Sequence, residues 1–68
     1  MNEEAFNLSV RKFLKHFGIT AQREIEKSVF AAVSAGKLKG HEKLKARARL
    51  ELEGLLKDLV IEQDITLS

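Results

Sequence analysis

The chain has 68 residues, 44% of them apolar and 32% charged, with a formal net charge of +2. That length gives room for one core and not two, and the composition is too apolar for a disordered chain. With no cysteine, disulfides cannot supplement so small a core, which leaves very efficient packing or association with another chain.

Asn2 is a favourable helix N-cap, and Glu3 and Glu4 follow where carboxylates complement the positive end of a helix dipole. Phe6, Val10, Phe13, Leu14 and Phe17 then recur at helical spacing and predict a first helix over about 3–17. Gly18 stands where a left-handed C′ residue would end it, with Ile19 placed to close over Leu14. Thr20 can cap a second helix over about 21–35, striped by Ile25, Val29, Ala32 and Val33, widened by Phe30 and stopped by Gly36. A three-residue link makes the two fold back as a helical hairpin or cross at a steep angle as a helix-turn-helix-like pair.

Beyond the loop KLKGHEK, Leu44, Ala46, Ala48, Leu50 and Leu52 alternate with Lys45, Arg47, Arg49, Glu51 and Glu53. Period two argues for a half-buried strand, although Leu44, Ala48, Leu52, Leu55 and Leu59 also suit a helical stripe. The β-branched tail, with Val60, Ile61, Ile65 and Thr66, favours strands, so an antiparallel β-hairpin is predicted over about 44–53 and 59–67. A register with Leu52 opposite Leu59, Leu50 opposite Ile61 and Leu44 opposite Leu67 also sets Arg49 against Glu62 and Arg47 against Asp64. The whole is read as one α+β domain spanning residues 1–68. Its two free strand edges, and Leu55, Leu56, Val60 and Leu8, which lack an obvious intrachain place, are the candidate interface for a protein partner or a homodimer.

Charge is unevenly spread. Lys37, Lys39, Lys43, Lys45, Arg47 and Arg49 face only Glu42 in that stretch, whereas residues 50–68 hold five acids and only Lys57. The basic segment is a candidate phosphate-contacting patch, so nucleic-acid binding is the alternative reading. A DNA-reading helix-turn-helix is disfavoured, because its required apolar positions after the turn would fall on Glu24 and Lys27. The lack of tyrosine and tryptophan removes the usual base-stacking residues.

No catalytic, cofactor-binding or metal constellation emerges. His16 is read as complementing a helix C-terminus, and His41 in HEKL lacks the second histidine of a zinc-protease motif. GKLKG lacks the spacing of a phosphate loop, and no serine sits in a nucleophile elbow. The expectation is therefore a non-enzymatic protein without a cofactor. Cysteine absence and the acidic start point to the cytoplasm, and charges interrupt every apolar run, so no membrane span is expected. The strings MNEEAFN, RKFLKHFGIT, QREIEKSV and GKLKG resemble those of a family of small bacterial proteins of unknown function. The resemblance covers most of the first forty residues and loosely the rest. It implies a bacterial cytosolic protein and supports the hairpin, but assigns no activity and no binding residue.

Overall fold

A computed structural model describes all 68 residues as one helix, α1 (Glu3–Ser34), followed by two strands, β1 (Lys43–Leu52) and β2 (Leu56–Thr66). The chain divides into two compact bodies, Met1–Lys37 and Leu38–Ser68.

In the first body the expected cap is present: the Ala5 N–H donates to Asn2 Oδ1 at 3.0 Å, with Glu3 and Glu4 in the first turn. The expected break at Gly18 is absent. One helix of 32 residues replaces the helical hairpin over 3–17 and 21–35. Left-handed backbone occurs only at Gly36, Gly40 and Gly54, so Gly18 serves as an ordinary helical residue. The physical reason is a balance of costs. A glycine inside a helix costs about 1 kcal/mol relative to alanine. A break there would leave two helix ends, each with four backbone groups needing new partners. No proline forbids continuation, and Ala21, Gln22, Arg23 and Glu24 carry the helix on. His16 consequently lies in mid-helix, away from the C-terminal dipole.

The helix ends as anticipated at Gly36, where φ is +77°. The Lys37 N–H donates to Ala32 O at 2.9 Å and the Gly36 N–H to Val33 O at 3.0 Å, the paired bonds of a Schellman ending.

The second body is the antiparallel hairpin, with β2 beginning three residues earlier than expected. Leu50 pairs with Leu59, Ala48 with Ile61, Ala46 with Gln63 and Leu44 with Ile65. On the other face Arg49 lies opposite Val60, Arg47 opposite Glu62 and Lys45 opposite Asp64. This register is two residues away from the expected one. It keeps every side chain on its anticipated face, because a two-residue slip preserves the pleat. The turn decides it. Leu55 N–H donates to Leu52 O at 3.0 Å, with Gly54 at φ +72° in the third turn position. That tight turn is available because glycine accepts positive φ, and it is closed by a bulge that shifts register between Leu50 and Leu52.

Because Gly18 is helical and an added Cβ there meets nothing within 4 Å, Gly18→Ala should stabilise the protein by about 1 kcal/mol. A thermal melt followed by circular dichroism at 222 nm tests this. A lower midpoint would instead indicate a left-handed residue at 18, and hence two helices.

Candidate interaction surfaces

No residue of either body is buried. The phenylalanines assigned to a core by their spacing are at least half exposed, from 50% at Phe6 and Phe17 to 67% at Phe30. On α1, Phe13, His16, Phe17, Thr20, Ala21 and Glu24 line a shallow groove. Leu8, 52% exposed, projects on the side of the helix away from Phe6 and Phe17, as the helical period requires.

On the hairpin, Leu44, Ala46, Ala48 and Leu50 are half-buried while their neighbours in β1 are exposed. Cross-strand pairing puts Leu59, Ile61 and Ile65 on that same face, interrupted by Gln63. Leu59 and Ile61 remain well exposed. The face is apolar and one strand pair wide.

The four candidate interface residues do not form one patch. Leu55 and Leu56 adjoin each other at the hairpin tip, where Leu55 is the most exposed apolar residue after Met1. Val60 lies on the charged face opposite Arg49, and Leu8 belongs to the helix body. Sequence reasoning passed over the two broader surfaces, the phenylalanine face and the Leu/Ile sheet face, because apolar periodicity marks a face for burial without saying what buries it. The signal available was length: so short a chain is hard pressed to cover both.

The basic candidates are also divided. Lys43, Lys45, Arg47 and Arg49 share the polar face of β1. Glu62 draws in two of them, accepting from Arg47 Nη2 at 3.3 Å and lying 3.9 Å from Lys45 Nζ. Such exposed pairs contribute at most about 1 kcal/mol each, but they offset positive charge at the centre of the stripe. Lys37 lies just past the Schellman glycine, and Lys39 belongs to the loop leading into β1.

That loop is organised by Glu42. Its carboxylate accepts backbone N–H bonds from Lys39 at 2.7 Å, Gly40 at 3.0 Å and His41 at 3.2 Å. Gly40, at φ +101°, turns the backbone so that these groups converge. The Lys39 bond chiefly, opposed by desolvation and assisted by the other N–H groups, holds the carboxyl below its ordinary value. The Leu67 N–H donates to Glu42 O at 3.2 Å, tying the same residue to the end of the ladder. The only acid of the basic segment therefore shapes the backbone instead of pairing with its lysines.

Fold and surfaces together define the class: a small α+β protein of one long helix and one β-hairpin, each presenting an exposed apolar face. No group of three or more His, Asp or Glu side chains is placed to hold a metal ion. No helix is long and apolar enough to cross a membrane. The chain belongs to the Family of unknown function (DUF6494), which it matches across residues 1–68. No curated protein and no solved structure matches it.

Glu42 gives a prediction with a definite sign. Its folded pKa lies below the unfolded one, so its stabilisation is complete above the ordinary value of 4.5 and is lost as pH falls through the lowered value. The protection factors of the Lys39, Gly40 and His41 amides, taken against intrinsic exchange at each pH, should fall across that interval, and Glu42→Gln should remove that fall. Protection of these three amides that is indifferent to pH would contradict the assignment.

Proposed function

We propose that this protein works by association and not by catalysis, as a small module that pairs with a second copy of itself. The observation that carries this reading is the absence of any buried residue in two bodies, a helix and a sheet, that each display an apolar face. Ordering the backbone costs about 1–2 kcal/mol per residue, and apolar burial returns about 25 cal/mol per Å². Without an interior the return is small. A second copy supplies the missing cover with surfaces of matching character, and the free edges of the hairpin extend the same possibility. A cysteine-free chain suits a reducing cytoplasm, where such a module would depend on contact and not on cross-links.

One observation favours a second reading. Lys43, Lys45, Arg47 and Arg49 on one strand face form a stripe that phosphates could contact, in which case the protein binds nucleic acid weakly and without sequence preference. The acid opposite the stripe counts against it, since Glu62 engages two of the four bases.

Light scattering over a concentration series tests the main reading. The expected mass is at least twice the 7.7 kDa of one chain, with helical signal falling on dilution; a single-chain mass at high concentration removes it. Titration of labelled DNA and RNA at low salt tests the second, for which affinity must fall steeply as salt rises. No binding at low salt discards it.

A further inference from the structure

The apolar face of α1 is lopsided in size. At about 100° per residue, Phe6, Phe13 and Phe17 in the N-terminal half fall on one face with Ala21, Ser28 and Ala32 in the C-terminal half, within an arc of about 100°. The bulky half is thus followed by a small-residue half along one straight rod. Resting on the self-association reading, we infer that two copies pair antiparallel through α1, about a two-fold axis near the middle of the helix. Phe6 of each copy then lies over Ala32 of the other, Val10 over Ser28, Phe13 over Ile25 and Phe17 over Ala21.

Side-chain volume selects this arrangement over a parallel one. Helix axes approach to a distance set by the side chains between them, about 8–10 Å. Antiparallel pairing gives nearly every layer one large and one small residue, so the axes stay evenly spaced. Parallel pairing would stack phenylalanine on phenylalanine at one end and alanine on alanine at the other, forcing the helices apart where they are bulky and leaving voids where they are not. The two-fold axis of this register falls close to the centre of Glu3–Ser34, so the two helices overlap along nearly all of their extent. A rod of about 48 Å by 12 Å presents on the order of 600 Å² per copy, near the ~800 Å² per partner of a standard interface.

The chain has no cysteine, so Val10→Cys and Ser28→Cys each introduce a single thiol into the full-length protein. Oxidation with a glutathione buffer of an equimolar mixture should yield the mixed disulfide, while either variant alone should yield little. Cross-linking of Ser28→Cys alone would mean parallel helices, and no cross-link despite a dimeric mass would place the contact elsewhere; both overturn this inference and leave self-association standing. A single-chain mass for the unsubstituted protein overturns both.

Discussion

Apolar side chains on a helix or strand lower the free energy only when something removes them from water, and that requirement governs every element here. The helix directs phenylalanines along one face and the hairpin directs leucine and isoleucine to one side, yet no residue in the chain is buried. A 32-residue helix is long enough to hold a substantial helical population alone. A two-stranded hairpin is only marginally stable without a cover. Local hydrogen bonding therefore defines the shapes of both bodies, while their stability is referred to whatever contacts the exposed faces.

Polar interactions reinforce that division. The Asn2 cap, the Schellman ending at Gly36, the Gly54 turn and the Glu42 carboxylate each satisfy backbone groups at the end of an element. None of them joins distant parts of the chain. The longest-range side-chain bond, Arg47 to Glu62, crosses one strand pair and is open to solvent. These devices fix where each element starts and stops, and contribute little to holding a tertiary interior together.

What could be read beforehand follows the same line. Ends marked by a specific residue were legible: Asn2 before the helix, Gly36 after it, and the period-two run from Leu44 into β1. Gly18 was misleading because a glycine beside a β-branched pair looks the same whether it ends a helix or interrupts one. The stripe encouraged the error. From Phe17 the apolar positions step by four, through Ala21, Ile25 and Val29, and each such step turns about 40° around the helix. One drifting stripe therefore reads as two separate stripes on two helices. The hairpin register was missed through its turn, since faces are set by alternation but offset is set by turn length, which Gly54 shortened. Of the surfaces, the basic stripe was legible from charge alone. The exposure of the phenylalanine face was not, because periodicity is the same whether the cover comes from within the chain or from outside.

The uninterrupted helix also changes what Gly18 and the drift mean. Had the chain turned back at Gly18, Phe6–Phe17 and Ile25–Val33 would have covered each other and closed a small interior. Straightened, they lie end to end on one rod and cannot meet within one chain. The only way to bring the bulky first half of this helix onto the small second half is to supply the second half from another molecule. In the proposed antiparallel pair, the hairpin-like packing that the sequence pattern suggests within one copy is recovered between two, with the phenylalanine face again set against the second half of the helix and with Gly18 level with the two-fold axis.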